Sequence, residues 1–236
     1  MENEQEVNLE EAFPWIKRIN WDKTTEAWKE SARQLARRGW TCPPSMTIHE
    51  VYQINELRYN NQVNKEIAKH YAETDFYERM KETILESELL KEWRVLLIQC
   101  FKNYEADTYQ ITIPSLFSVI EGFAYKLIYP RFKKYETPDE DMSLARKYGE
   151  VKQEMENGSI RWVLFVSAQE FIRLTFKFAN FDERRPFVIN RNWVLHGRDN
   201  PSQWRKVDAL RLFNALYTFT TLKFLLKNPK EQEQQD

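Results

Sequence analysis

"SELLKEWRVLLIQCFKNY", residues 87–104, carries its apolar side chains at steps of three and four residues. An α-helix turns once in about 3.6 residues, so side chains at this spacing form one stripe that a core can bury. The stretch therefore predicts a helix with one buried face. The stripe consists of Leu89, Leu90, Trp93, Leu96, Leu97, Cys100, Phe101 and Tyr104.

Three further stretches with the same periodicity follow it: 107–128, 160–178 and a last helix that ends near residue 227. The polar segments 136–141 and 156–159 separate them, and only 5 of the 236 residues are glycine. Because scarce glycine and abundant helix-forming residues favour helix over sheet, we predict an all-α fold. Its main part is a four- or five-helix bundle over residues 85–228.

Helix signals also precede the bundle. Residues 22–38 predict a helix that stops at Gly39, and Thr47 with Glu50 forms a capping box that starts another. We therefore predict an N-terminal helical extension over residues 1–84, free to pack on the bundle, and a polar tail over 229–236. No linker composition marks the boundary between extension and bundle.

The overall composition excludes a chain that is basic throughout. The formal net charge is −1 and 42% of residues are hydrophobic, so any nucleic-acid site must be local. Cys42 and Cys100 are expected to be reduced thiols, and the absence of a C-x-x-C motif disfavours structural zinc. Apolar runs such as 162–168 fall short of the ~20 residues of a membrane helix. We expect a cytoplasmic protein without a membrane segment.

A local excess of positive charge lies between residues 183 and 206, where aromatic side chains alternate with arginines. Arginine binds phosphate in a bidentate manner, and aromatic faces stack on exposed bases. This window therefore suits single-stranded or looped RNA. Its basic residues are Arg184, Arg185, Arg191, Arg198, Arg205 and Lys206, its acids Glu183 and Asp199, and its aromatics Phe187, Trp193 and Trp204.

The pair Arg191 and His196 lies inside this window, in "NRNWVLHGRD", residues 190–199. Pro186 suits the first turn of a short helix and Gly197 its end, which puts His196 in the last turn. Five residues rotate by about 140° around an ideal helix, so the two side chains do not share a narrow stripe. Either the long arginine reaches the imidazole, or both line a broad cleft, as between two protomers.

This pair matches the needs of RNA cleavage without a metal or cofactor. RNA carries its own nucleophile, the 2′-hydroxyl, and a histidine can accept or donate the protons of the reaction. An arginine can stabilise the charge that develops at phosphorus, and Asn192 can orient the histidine or bind a phosphate oxygen. A histidine at a helix C-terminus is alternatively a plain stabilising device, worth about 0.3–1 kcal/mol.

The segment "FVINRNWVLHGRD" (187–199), followed by "DALRLFNALYTF" (208–219), resembles the HEPN superfamily of small helical ribonuclease domains. "IPSLFSVIEGF" (113–123) is similar to an earlier core helix of the phage-related and abortive-infection branch. The resemblance covers about 85–228 and implies a homodimer in which two Arg-x4-His motifs face one cleft. It implies metal-independent cleavage leaving a 2′,3′-cyclic phosphate, in a toxin or phage-defence role that a partner or antitoxin often controls.

Some HEPN members only bind RNA or nucleotide, but this sequence keeps the arginine, the polar neighbour and the histidine of the motif. A non-catalytic module that binds RNA, nucleotide or a partner protein stays open as an alternative, as does a structural subunit of a defence assembly. Glu121 is expected to support Arg191 or His196, or else to pair elsewhere, and Asp199 to fix a turn. The assigned residues are Arg191, His196 and Asn192 for catalysis, Glu121 for support, and Arg184, Arg185, Arg198, Trp193, Trp204 and Arg205 for RNA binding.

Overall fold

A computed structural model of the chain describes residues 20–73, 75–132, 143–151, 160–178 and 180–226. All regular elements within these ranges are helical, which confirms the all-α class. Short 3₁₀ segments cover Glu88–Trp93, Tyr109–Ile111, Pro201–Gln203 and Lys223–Leu226. The α-helices are α1 Trp21–Arg37, α2 Ile48–Asn55, α3 Asn60–Ala72, α4 Phe76–Glu86, α5 Arg94–Glu105, α6 Thr112–Phe132, α7 Leu144–Val151, α8 Ile160–Thr175, α9 Arg191–Leu195 and α10 Lys206–Thr220.

The apolar stripe of residues 87–104 is divided between two elements. A 3₁₀ segment over Glu88–Trp93 precedes α5, so the continuous α-helix that the periodicity predicts is wrong for its first six residues. The tighter winding accompanies packing of the Trp93 ring on Gly122 of α6, where an added β-carbon would lie 2.9 Å from the indole. Leu90, Leu97 and Phe101 are buried as the stripe predicts.

The longest helix, α6, passes through the centre of the core. It contacts α5, α7 and α10, and its residues Phe117, Ile120 and Phe123 are completely buried. The span Tyr109–Pro130 is long and apolar enough, by length and composition alone, to cross a membrane. The span contains Glu121 and Lys126, so it is not an unbroken apolar run. More than half of this span is buried inside the protein, as in the core helix of a helical bundle.

The described part of the N-terminal extension, residues 20–84, belongs to the same core as the bundle. Helix α1 packs along α8, and the segment after it lies against α10. There the Thr41 and Thr218 hydroxyls are 2.8 Å apart, and Asn214 Nδ2 donates to Thr41 O at 2.8 Å. The boundary expected at residue 84 therefore does not separate two hydrophobic cores.

Some predicted features lie outside the described residues: the first 19 residues, the breaks at 136–141 and 156–159, and the tail at 229–236. Between those breaks the structure contains a helix that the sequence analysis did not predict, α7. Its residues Leu144, Tyr148 and Val151 are buried, and the Tyr148 hydroxyl donates to Ala124 O of α6 at 3.1 Å. Their spacing of four and three residues is the helical signal that was overlooked.

Gly39, which ends α1, gives a first prediction. Its φ is +89°, and an added β-carbon would lie 2.8 Å from Val188 Cγ1. Gly39→Ala is therefore expected to lower the free energy of unfolding by about 1–3 kcal/mol, measured by urea denaturation. Gly197→Ala is the control, since φ there is +65° but nothing lies within 4 Å of the added carbon. Equal losses in both variants would show that the contact with Val188 contributes nothing.

Candidate functional site

The site is built on α9, a helix of five residues that side chains hold in place at its start. Asn190 is the N-cap, and its Oδ1 accepts from the backbone N–H groups of Asn192 at 2.9 Å and Trp193 at 3.3 Å. Gly197 ends the helix with φ +65°, as the sequence predicts. Pro186 does not occupy the first turn, because the asparagine cap starts the helix five residues later.

Arg191, the first residue of α9, is fixed by an acidic side chain from α6. Its Nη2 and Nε donate to Glu121 Oε2 at 2.8 and 3.1 Å. Both side chains are 27% exposed, so the pair lies at the surface of the bundle and not inside it. The structure thus contains the expected contact between Glu121 and the motif, and the contact is to the arginine.

Asn192 connects Arg191 to the end of α8. Its Oδ1 accepts from Arg191 Nη1 at 2.9 Å, and its Nδ2 donates to Lys177 O at 3.1 Å. Asn192 therefore orients the arginine, whereas the sequence left open whether it supports the arginine or the histidine. The guanidinium is held from two sides, which leaves one N–H on each terminal nitrogen for a ligand.

His196 is the C-cap of α9, and its side chain is exposed. Its ring packs edge-on to Phe181 at 5.8 Å between centroids, and Phe181 also contacts Trp193 at 5.7 Å. No hydrogen bond joins the imidazole to Arg191, although both residues belong to the described part of the chain. The structure therefore contains no direct hydrogen bond between the arginine and the histidine of the motif.

Two residues assigned to RNA binding form a structural lock instead. Trp204 is buried, and its Nε1 donates to Asp199 Oδ2 at 2.9 Å, so this indole is not available for base stacking. Arg185 Nη2 donates to the same oxygen at 3.0 Å, and its Nε donates to Asp199 Oδ1. Asp199 is itself buried, which confirms its expected role in fixing the turn. A buried carboxylate requires such partners.

The remaining residues assigned to RNA binding differ in how exposed their side chains are and in whether another residue binds them. Trp193 is 9% exposed and packs edge-on to Phe181, so it offers little of its surface to a base. Arg205 is half-exposed, with its Nε 3.6 Å from Asp208 Oδ2. Arg198 is exposed, and its guanidinium lies 5.4 Å from the Phe181 ring centroid. Arg184 is exposed without an ion pair to any described residue.

A pocket of about 450 Å³, which the sequence analysis missed, lies between the end of α8 and the segment before α9. Two strongly exposed phenylalanines, Phe178 and Phe187, line it together with Lys177 and Arg184. Arg184 and Phe187 belong to the basic and aromatic window that the sequence indicates, whereas Lys177 and Phe178, at the end of α8, lie outside that window. The signal was present in "TFKFAN", residues 175–180, where two apolar rings flank a lysine at a helix end.

Other kinds of chemistry find little support in the side chains. Both cysteines are buried, and burial raises the pKa of Cys42 to about 12 and that of Cys100 to about 11. Neither thiol is therefore a nucleophile at neutral pH. Within the described ranges, no three His, Cys, Asp or Glu side chains are grouped so that they could hold a metal ion.

Neither a scan against protein-family models, nor a search of curated proteins, nor a search of solved structures finds a match to this chain. The interpretation of the site therefore depends on its own geometry.

Glu121 gives the second prediction. The sequence predicts that Arg191 acts in RNA cleavage. Under that prediction Glu121→Ala frees the guanidinium from α6, and misplacing a catalytic group costs about 10²-fold in rate. We expect RNA cleavage to fall by about that factor in kcat, with unfolding changed little because the pair is partly exposed. Glu121→Gln keeps an acceptor oxygen and is expected to retain more activity than Glu121→Ala. Equal activity of wild type and Glu121→Ala, from single-turnover kinetics, would contradict a positioning role.

Proposed function

We propose that this chain is a metal-independent endoribonuclease of the HEPN type, with an active site composed at the interface of a homodimer. One observation carries the proposal: Glu121 and Asn192 hold the guanidinium of Arg191 on the same short helix that presents His196 to solvent. A fixed cation beside an accessible imidazole is the minimum that cleavage by the 2′-hydroxyl needs from a protein.

A second copy supplies what one protomer lacks. Arg191 and His196 of one chain are not hydrogen-bonded to each other, and a composite cleft would pair the arginine of one copy with the histidine of the other. Tyr125 and Tyr129 follow Glu121 at four-residue steps on α6 and are exposed, at 37% and 62%. Two exposed aromatics beside the motif are typical of protein interfaces, which supports placing the dimer contact here.

The reaction follows from the roles of these groups. The 2′-oxygen forms a bond to phosphorus while the bond from phosphorus to the 5′-oxygen breaks, which leaves a 2′,3′-cyclic phosphate and a 5′-hydroxyl. His196 carries one of the two protons: it either accepts that of the 2′-hydroxyl or donates one to the leaving 5′-oxygen, and water transfers the other. Arg191 donates its remaining N–H groups to the phosphoryl oxygens as negative charge develops there. No proton transfer requires a metal ion.

The biological role proposed is that of a cytoplasmic toxin or phage-defence effector. It depends on the resemblance of residues 187–199 and 208–219 to that branch of the HEPN superfamily. An endoribonuclease that is active in its own cell needs restraint, so we also propose control by an antitoxin or another partner protein. Growth arrest on expression, relieved by His196→Ala, is the outcome expected in cells.

The direct test is cleavage of end-labelled RNA by the purified protein in EDTA. We expect products that end in a 2′,3′-cyclic phosphate, which acid treatment opens to a mixture of 2′- and 3′-phosphates. Replacing the 2′-hydroxyl next to the cut with a 2′-O-methyl group removes the nucleophile and is expected to stop cleavage there. Products that end in a 3′-hydroxyl, or cleavage that requires added metal, would refute this mechanism.

A second candidate is a non-catalytic module that binds RNA, nucleotide or a partner protein. The observation that favours it is the engagement of Arg191 by Glu121 and Asn192 without any contact to His196. Such a module shifts RNA in a gel and never cuts it. If Arg191→Ala instead dissociates the dimer and the wild type neither binds nor cuts RNA, the pair serves an interface in a structural subunit.

A further inference from the structure

We propose that the pocket between the end of α8 and the segment before α9 binds an unstacked nucleotide of single-stranded RNA. This pocket is distinct from the Arg191 and His196 side chains, neither of which lines it. Its volume of about 450 Å³ is suited to a small ligand or one nucleotide of a chain. The base would lie against the phenylalanines and the phosphates against the cations.

The two phenylalanines supply the surfaces for a base. Phe178 is 86% exposed and Phe187 is 58% exposed, although both are large apolar side chains in a chain with an extensive core. No ring contact joins them, so each is open to solvent in the described part of the chain. Aromatic rings presented in this way stack on bases without regard to sequence, and unpaired RNA offers such bases.

The charges of the pocket favour a polyanion. Lys177 and Arg184 are exposed, and neither forms an ion pair with a described residue. Arg37, also in the lining, is already engaged by Glu170 at 3.3 Å, so it adds less free charge. Glu183 is the acidic residue of the lining. Two unpaired cations beside two exposed rings match alternating phosphates and bases better than they match the surface of a folded protein.

The pocket is mechanically connected to the motif. The carbonyl of Lys177 accepts from Asn192 Nδ2 at 3.1 Å and from Asn190 Nδ2 at 3.2 Å. Asn192 also holds Arg191, so the pocket wall and the arginine share one set of hydrogen bonds. If the proposed function holds, on which this step depends, the pocket holds a nucleotide that flanks the cut and selects single-stranded over double-stranded RNA.

The test uses a fluorescent ten-nucleotide 2′-O-methyl oligouridylate, which resists cleavage by 2′-hydroxyl attack, and measures its binding to wild-type protein by anisotropy. Phe178→Ala and Phe187→Ala are each expected to weaken binding about 10-fold, since each removes a stacking surface. Lys177→Ala and Arg184→Ala are expected to lower the slope of log K against log salt by about 0.7 each, as loss of one phosphate contact does. Tyr59→Ala, which removes an exposed ring elsewhere, is the matched control.

The outcomes separate this inference from the proposed function. Binding that depends on Phe178 and Phe187 in a protein that never cuts RNA supports the pocket and refutes the nuclease. Cleavage that depends on His196, with normal binding by both phenylalanine variants, overturns the pocket and leaves the nuclease intact. Absence of any binding by the wild type also overturns the pocket. Unchanged thermal melting of the variants, expected for exposed side chains, shows that binding and not folding was altered.

Discussion

His196→Ala is expected to reduce RNA cleavage by about 10²–10⁴-fold, because in the proposed mechanism it removes the group that transfers a proton in the transition state. The side chain is exposed at the end of α9, so the variant should fold as the wild type does. The backbone hydrogen bond from residue 196 to Asn192 O does not involve the imidazole and is retained. Single-turnover cleavage in EDTA, with thermal melting in parallel, measures both effects.

Arg191→Ala is expected to produce a loss of about 10²–10³-fold, as removal of one charge-stabilising donor does. Arg191→Lys keeps the charge but not the fork that Glu121 and Asn192 bind, and we expect it to recover little. The controls are His49→Ala and Arg58→Ala. They remove an exposed histidine and an exposed arginine that are distant from the motif in the sequence. Full activity in His196→Ala or Arg191→Ala would remove the basis for assigning the site.

Mixing the two inactive variants tests whether the site is shared between protomers. In a twofold dimer of one Arg191→Ala and one His196→Ala chain, the intact arginine and the intact histidine lie on different copies. A composite cleft then regains one working pair, and random mixing is expected to restore about a quarter of the wild-type rate. If each protomer acts alone, mixing restores nothing. Co-purification of the untagged variant with an affinity-tagged copy of the other shows that mixed dimers form.

The sequence predicts the elements of the site better than their surroundings. The Gly197 end of α9 and the capping box at Thr47 are local features, and the contact of Glu121 with Arg191 is one of the alternatives that the sequence left open; the structure contains all three. A carboxylate on a largely apolar helix needs a cation, and arginine is its natural partner. Such pairings can be predicted because the alternatives cost free energy.

The groups that the tryptophan side chains contact could not be predicted in this way. An indole in a basic segment has the same sequence context whether it meets a base or a buried carboxylate. In the structure Trp204 donates a hydrogen bond to Asp199. Asp199 also accepts from Arg185, which lies 14 positions earlier in the chain. That arrangement depends on the path of the chain between them, which no periodicity specifies.

Phe178 was missed for the opposite reason. The apolar pattern of residues 160–178 continues through this position, which predicts burial on the face of one helix. In the structure α8 ends at Thr175, and the following residues turn away, so that Phe178 reaches solvent beside Lys177. Three residues at a helix end thus convert a predicted core side chain into a surface for a ligand, and helix ends are the least certain part of any pattern.

Arg211→Ala is expected to destabilise the fold by about 3–5 kcal/mol, more than any other single change considered. The side chain is 1% exposed, and its Nη1 donates to Asp208 Oδ1 at 2.6 Å. Burial lowers the pKa of Arg211 to about 10, although the Asp208 carboxylate opposes that shift. The arginine therefore stays charged at neutral pH, and its removal leaves the buried Asp208 carboxylate with only the half-exposed Arg205, whose Nε lies 3.6 Å from Oδ2.

The same side chain joins the N-terminal helices to α10. Its Nη2 donates to Asn64 Oδ1 at 2.6 Å, and its guanidinium lies 5.5 Å from the ring centroid of Trp40. Loss of Arg211 therefore also weakens the contact of α10 with α3 and with the segment after α1, although Asn214 still binds Tyr71 and Thr41. We expect a lower midpoint of urea unfolding. The controlling comparison is a double variant, Arg211→Met with Asp208→Asn, which removes both charges at similar volume. It is expected to be more stable than Arg211→Met alone, because the single variant leaves a buried carboxylate that has lost its closer cation. If the single and the double variant are equally destabilised, the charge of Asp208 does not cause the loss. The loss then comes from poorer packing and from the missing hydrogen bond to Asn64.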